Sequence, residues 1–263
     1  MRLGVIIPHK DREEFKNFQE LYLTKYLESQ GLEYKVFFCE QRDDQMFSRA
    51  ASLNVGFKFC WEDYRPDYVV IGDVDMVPLN VDYEWGGVAE AWFINAGGFK
   101  LLAADFIAAN GYNNNFRGWG HEDSEFWLRL GSVGVKNTKW RPIYKAEVVD
   151  LEMKCSDSEA KSVWYFGNKT NVRFYRSDEA EVTRELVSSV KKTWYSDQGS
   201  LANKKMLERI RAMPRDKRSL FFSKNGLNSI DPGKIRVASN STRVANLYFD
   251  SSDYGYWPYK KVI

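Results

Sequence analysis

Three short apolar runs, separated by two longer segments of helical period, fill the first seventy-odd residues. Residues 3–8 (Leu-Gly-Val-Ile-Ile-Pro), 34–39 and Tyr68–Ile71 are rich in β-branched and aromatic side chains and too short for helices. Residues 12–30 read as an amphipathic helix ended by Gly31. Residues 46–64 place Phe47, Ala50, Ala51, Asn54 and Phe57 at helical spacing. Strands joined through whole helices are not hairpins. This order specifies parallel strands with right-handed crossovers: an α/β fold whose mostly parallel central sheet is flanked by helices.

Further along, residues 91–96 read as a strand, 100–110 as a short helix closed by Gly111, 122–130 as a helix, and 143–151 as a late strand. Beyond residue 155 the periodicity weakens. Residues 179–192 and 201–212 keep a helical pattern, Pro214 stops the second, and residues 247–259 mix aromatics with turn residues. The expected organisation is a catalytic core over residues 1–154 and a mixed C-terminal extension over 155–263 packed on it.

Charge is balanced, 38 basic against 36 acidic residues for a net +2, which gives no reason to expect a nucleic-acid partner. The basic run Lys204, Lys205, Arg209, Arg211, Arg215, Lys217 and Arg218 has two readings, a solvated helix face or peripheral contact with anionic lipid headgroups. Aromatics make 16% of the chain; their flat faces suit the C–H faces of sugars and equally suit ordinary cores. Cys39, Cys60 and Cys155 are odd in number and lack metal-type spacing, a pattern of buried free thiols in a reducing compartment. No secretory signal or membrane-length stretch is visible, so the expected location is cytoplasmic.

Two acidic motifs carry the chemistry. Asp73-Val74-Asp75 closes the third apolar run; on an extended strand its two carboxylates point to one side. Ligands of open α/β sheets gather at such strand ends, and hard divalent cations that bridge phosphates need only one or two carboxylates. D-x-D also occurs in plain surface turns. The second motif is Gly118-Trp119-Gly120-His121-Glu122-Asp123-Ser124-Glu125, a glycine-hinged ring followed by three carboxylates at a helix start. Acidic residues there offset the helix dipole whatever else they do. The preceding glycines and tryptophan go further, toward a sugar platform beside a base. A carboxylate at a helix N-terminus is expected to be ionised, and His121 among carboxylates to favour its protonated form. No Ser–His–Asp or Cys–His arrangement supports a covalent hydrolase, and residues 8–12 are not the Gly-rich loop of a nucleotidyltransferase.

The order and spacing of several stretches resemble the β-1,4-galactosyltransferase family over roughly residues 3–153. They are Ile6-Ile7-Pro8-His9-Lys10-Asp11-Arg12, Phe47-Ser48-Arg49-Ala50, Leu53-Asn54-Val55-Gly56-Phe57, Asp73-Val74-Asp75, Gly97-Gly98-Phe99, Asn110-Gly111-Tyr112 and Gly118–Asp123. The resemblance implies a GT-A fold and an inverting, metal-dependent transfer of galactose or N-acetylgalactosamine from a UDP-sugar donor. Mn²⁺ is the implied metal, with Mg²⁺ the alternative. The implied acceptor is an oligosaccharide or glycolipid precursor. Matched position by position, Pro8, Lys10, Arg12, Phe47, Arg49 and Asp73 fall in the donor nucleotide site, and Asp75 on the metal ligand. Gly98 falls in the donor-sugar wall and Trp119 at the donor–acceptor junction. Glu122 lies in the acceptor site and Asp123 on the catalytic base.

Asn95 aligns where galactose-specific relatives carry a bulky ring. His121 stands where the family has glycine. The late metal ligands are Met or His in the family; here Asp150 and Glu152 are the oxygen-bearing candidates. The same fold using UDP-glucose, or a sugar-binding module without catalysis, are the competing readings. The animal members are luminal and membrane-anchored, so a bacterial- or viral-type relative is expected.

Overall fold

A computed structural model of the chain describes residues 1–78, 81–92, 98–118, 120–135, 138–141, 148–150, 163–165, 168–170 and 197–254. Strands β1 (Leu3–His9), β2 (Tyr34–Gln41) and β3 (Tyr68–Ile71) alternate with helices α1 (Glu13–Ser29) and α2 (Arg49–Asp63). β1 lies between β2 and β3 and runs parallel to both, as crossovers through whole helices require.

Along β1 the side chains sort by the period of two. Leu3, Val5 and Ile7 join Phe15, Leu23 and Leu27 of α1 in one core cluster. Ile6 joins Phe37, Cys39, Val69 and Ile71, on which α2 packs Ala50, Leu53, Phe57 and Cys60. Both faces are thus covered, which is why these strands read as unbroken apolar runs. Gly56 lets α2 approach the sheet: a Cβ there would collide with Cys39 Sγ and Ile6 Cγ2. Overpacking of this kind costs about 1–3 kcal/mol. Cys39 and Cys60 are buried free thiols, as expected; Cys155 lies outside the described residues.

The elements that follow are β4 (Met76–Pro78), β5 (Ala89–Trp92), β6 (Gly98–Leu102), α3 (Ala103–Ala108), α4 (Glu122–Ser132), β7 (Thr138–Arg141) and β8 (Val148–Asp150). Then follow β9 (Val163–Tyr165), β10 (Asn168–Thr170), α5 (Asp197–Ala212), α6 (Arg215–Lys224), β11 (Arg236–Asn240) and β12 (Val244–Phe249). The main sheet has the order β11-β12-β2-β1-β3-β6-β5-β7. It is mixed: β6 is antiparallel to β3 and β5, and β11 to β12, while the other neighbours run parallel.

Two expectations change. The stretch read as one helix from residue 100 begins as a strand, because Gly98–Leu102 fills the edge of β3 and the helix starts only at Ala103. Lys100 explains the misreading: it is buried, and its ammonium is held by the Asp82 and Glu84 carbonyls and lies 3.4 Å from Glu90. The chain's end is also more than a layer on the core. β12 runs parallel beside β2, and Leu247, Phe249, Ile210 and Phe222 belong to the same hydrophobic cluster as Ile6 and Phe57. Among the described residues no helix is long and apolar enough to cross a membrane. Residues 179–192 lie outside the description.

Candidate active site

Four segments meet at the carboxyl ends of the central strands: the end of β1, the turn after β3, the start of α2 and the start of α4. Ser48 fixes the third. Its hydroxyl accepts from the Ala51 N–H (3.2 Å), capping α2, and donates to the Phe116 carbonyl (2.8 Å). The Gly118 N–H donates to the Phe47 carbonyl at 2.7 Å, so the loop before α4 is tied to the start of α2 twice. Gly118, Gly120 and His121 take positive φ values of 69°, 93° and 74°, the turn that brings α4 round to face α2.

Arg49, the first residue of α2, spans the site. Its Nε donates to Asp73 Oδ1 (2.7 Å), its Nη1 donates to Asp123 Oδ1 (2.9 Å), and Nη1 stands 4.0 Å from Glu122. Tyr112 donates its hydroxyl to the same Asp123 Oδ1 at 3.1 Å. Both bonds fall on one oxygen, and no described residue hydrogen-bonds Oδ2. Arg12, at the start of α1, donates to Asp75 Oδ2 at 2.9 Å. One guanidinium therefore links the Asp73 turn to the α4 carboxylates, and a second holds Asp75.

Four carboxylates, Asp73, Asp75, Glu122 and Asp123, face these two guanidiniums. Fully ionised, the set carries two more negative than positive charges. The strain registers in the pKa values. Burial, only partly offset by Arg49 and reinforced by the Asp75 carboxylate, raises Asp73 to about 6. Burial and the neighbouring Asp123 raise Glu122 to about 7. An excess of two negative charges on hard oxygen donors fits one divalent cation of the Mg²⁺ or Mn²⁺ kind. Backbone register supplies a further donor position: β4 pairs with β8 so that Met76 faces Asp150, setting residue 150 beside the Asp75 turn. His9, Glu13 and Glu40 can also bring ligand atoms within 4.8 Å of one another. There Lys16 (3.5 Å) and Arg42 (2.6 Å) pair with the two carboxylates one to one, whereas Asp73, Glu122 and Asp123 share the single Arg49, so the excess negative charge lies in the Arg49 cluster.

The structure brings Asp73, Asp75, Arg12, Arg49, Glu122 and Asp123 together. Pro8 is buried at the end of β1, and Lys10 donates to the Asp43 carbonyl at its rim. Phe47 is half-buried beside Arg49, and Gly98 starts β6 opposite Trp92. Trp119, Asn95 and Glu152 lie outside the described residues, as does the side chain of Asp150.

Four local expectations are corrected. Asp73 and Asp75 sit in a turn, closed by the Met76 N–H to the Asp73 carbonyl, because β3 ends at Ile71; the two carboxylates engage different arginines. Glu122 is not held ionised by the helix terminus, since burial outweighs the dipole. His121 is pushed down, not up: burial disfavours its charge, and Lys204 and Arg211 outweigh Glu208. Glu125, read as part of the acidic loop, faces inward to Arg129.

Sequence reasoning also missed the bracing residues. Tyr112 belongs to a stretch quoted for its family match, but nothing in the chain signals that its hydroxyl reaches Asp123. Asn203 of α5 donates to the Arg117 (3.0 Å) and Gly120 (2.9 Å) carbonyls. The buried Arg117 in turn donates to the Ser251 (2.7 Å) and Tyr254 (3.1 Å) carbonyls. Such partners more than 80 residues apart leave no local pattern.

Two family models tile this region end to end. The N-terminal region of glycosyl transferase group 7 matches residues 1–85, and the N-terminal domain of galactosyltransferase matches residues 82–150. The chain belongs to the β-1,4-galactosyltransferase family. Within this family of glycosyltransferases it is 32% identical to bovine β-1,4-galactosyltransferase 1 over 150 residues, covering 51% of this chain and 37% of that protein. It is 33% identical to the Caenorhabditis elegans xylosylprotein 4-β-galactosyltransferase over 146 residues, 49% of this chain and 50% of that one. The matched stretch thus spans about half, or less, of these relatives' own length. The fold extends further than the family models: a Drosophila β-1,4-galactosyltransferase 7 mutant, solved with manganese, UDP-Gal and xylobiose, superposes with TM-score 0.57 at 20% identity, covering 95% of this chain and 94% of that one. That likeness assigns the GT-A fold to this family member.

Proposed function

We propose that this chain is an inverting, divalent-metal-dependent glycosyltransferase that moves galactose or N-acetylgalactosamine from a UDP-sugar to a carbohydrate hydroxyl. The observation that carries the reading is Arg49 bridging Asp73 and Asp123, because it sets a candidate base one guanidinium away from the Asp73–Asp75 turn. Family membership supports the same class of reaction, and the Drosophila relative was solved with manganese, UDP-Gal and xylobiose.

Asp75 and, from the facing strand, Asp150 would hold the metal, with Glu152 as the next donor along the chain. When bound, the metal supplies positive charge to the diphosphate leaving group. Arg12, Arg49 and Lys10 add fixed positive charge around the same group without reorganising as the bond breaks. On the other side of the donor, Asp123 Oδ2 accepts the proton of the acceptor hydroxyl. The oxygen forms its bond to the anomeric carbon from the face opposite the departing UDP, whose oxygen keeps the electron pair of the broken bond. Arg49 and the Tyr112 hydroxyl fix Asp123 through its other oxygen, so the accepting lone pair is oriented before substrate arrives. Trp119 stacks on sugar and excludes water.

The deciding measurement is UDP release from a panel of UDP-sugars, with and without Mn²⁺, for wild type and Asp75→Ala. Metal-stimulated release in wild type, with Mn²⁺-dependent UDP binding lost by calorimetry in the variant, is expected. Metal-independent release, or unchanged metal dependence in the variant, rejects this assignment. On the donor side, Asn95→Tyr is expected to shift preference toward UDP-galactose by roughly 1–3 kcal/mol, the range for a pocket-size change. Equal selectivity in both proteins rejects Asn95 as the pocket wall.

A further inference from the structure

Helix α5 reaches the acceptor side of the site from the far end of the chain, and its charge is unbalanced. Its buried stripe is Asn203, Leu207 and Ile210, with Asn203 clamped to the Arg117 and Gly120 carbonyls of the loop that carries His121, Glu122 and Asp123. One residue on, Lys204, Glu208 and Arg211 follow the same i, i+4, i+7 spacing, so they line the flank next to that stripe. All three are exposed, and Lys204 directly follows the Asn203 that is tied to the Gly120 carbonyl, one residue before His121.

The cations of this region stand apart from those of the core. Lys16, Lys35, Arg42, Arg49, Lys100 and Arg129 each pair with a carboxylate. Lys204, Lys205, Arg209, Arg211, Arg215 and Lys217 pair with none among the described residues. Cations without a described carboxylate partner, on a helix that a hydrogen-bonded asparagine holds against the loop carrying Glu122 and Asp123, suit an anionic ligand. His121, on the same loop, adds a ring nitrogen that can donate or accept a hydrogen bond.

We propose that the acceptor is anionic: a saccharide carrying a phosphoryl group near the hydroxyl that receives the sugar, with Lys204 and Arg211 contacting that phosphate while the hydroxyl meets Asp123. This rests on the transferase reading above and adds the acceptor's chemical class. It also accounts for a basic flank on a chain whose net charge is only +2.

The test compares kcat/KM for a pair of acceptors, a monosaccharide and the same monosaccharide bearing a phosphomonoester on its own ring, in low and high salt. Wild type is expected to favour the phosphorylated acceptor by about tenfold or more at low salt, an advantage that falls as salt screens it. In Lys204→Gln/Arg211→Gln the ratio is expected to approach one, and Lys204→Arg/Arg211→Lys restores it; the exposed positions leave Leu207 and Ile210 packed in all three proteins. Transfer to both acceptors with equal efficiency in wild type overturns the anionic subsite and leaves the transferase reading standing. So does a preference that the Gln pair does not change. Transfer to neither, with Mn²⁺-dependent UDP binding also absent, sinks the transferase reading and the subsite with it. A patch that instead serves lipid surfaces shows in the same proteins as binding to vesicles containing anionic lipid with no acceptor preference, and that result overturns the subsite.

Discussion

Helix α4 carries two acids two residues apart, Asp123 paired with Arg49 of α2 and Glu125 with Arg129 of its own helix, and the two pairs have opposite fates. Glu125 and Arg129 are fully sealed, 0% exposed on both sides, with Arg129 Nε bonding both carboxylate oxygens at 2.9 and 2.8 Å. Asn113 donates to Glu125, and the Asn110 and Phe222 carbonyls accept from Arg129 Nη1; Arg129 Nη2 is buried without a partner among the described residues, and burial closes the pair to a substrate. Asp123 is 26% exposed, shares its arginine with Asp73, and presents one oxygen without a described partner. Residue type and helix position are alike. What separates the pairs is the face of α4: Glu125 turns toward the core that also holds Phe126 and Leu130, Asp123 toward the cleft. A sealed ion pair holds structure; a shared, half-open one is available for chemistry.

The comparison is most easily broken at Glu125. Glu125→Gln leaves the Arg129 charge buried without a counter-ion, so urea denaturation should show about 3–5 kcal/mol lost, while the folded fraction still binds UDP with Mn²⁺. A loss under about 1 kcal/mol would place the pair among the weak surface bridges. Asp123→Asn should behave the other way, keeping donor affinity and the denaturation midpoint while turnover falls roughly a hundredfold or more. Near-normal turnover removes Asp123 from the mechanism.

Glu122 sharpens the contrast through pH. Its carboxyl is raised from 4.5 to about 7 in the folded chain, so the folded state holds that proton more tightly than the unfolded one. The contribution is fully present below about 4.5 and is lost as pH rises through 7. Glu122→Gln cannot ionise, and between pH 5 and pH 8 its stability should gain on wild type by on the order of 2 kcal/mol. A constant gap across that range contradicts the charge deficit assigned to the cleft. The smallest effect is expected at Asn203. Asn203→Ala removes the donors to the Arg117 and Gly120 carbonyls and should cost about 1–2 kcal/mol, with KM for the acceptor rising more than kcat falls. If KM for the donor moves instead, α5 does not brace the acceptor loop.

Much of the catalytic half was legible. β3 lies where the sequence put it, and β1, β2, α1 and α2 fall within a few residues of their expected bounds, because buried parallel strands and the helices that cover them impose local periodicity. Asp73, Asp75 and the Glu122–Asp123 pair stood out because glycine, an apolar run and clustered carboxylates mark strand ends and loops. The β6 strand was lost because Lys100 breaks its apolar run, and a buried lysine is recognisable only once its carbonyl partners are known. The direction of His121's shift was misread for a similar reason: the charges nearest in sequence are acidic, while those acting on it include cations from α5, 83 or more residues away.

The sequence by itself determined the α/β class, the strand ends where ligands collect, and the residue types a diphosphate and a base require. Periodicity and motif spacing are local properties, and a chain states them outright. Only the tertiary structure decided which carboxylates share a cation in the cleft and which are sealed in the core. It gave Arg49 both Asp73 and Asp123, and sealed Glu125 against Arg129. It also laid β12 beside β2 and set α5 against the loop that carries His121. Burial and charge pairing are set by neighbours in space, and here those neighbours come from every part of the chain.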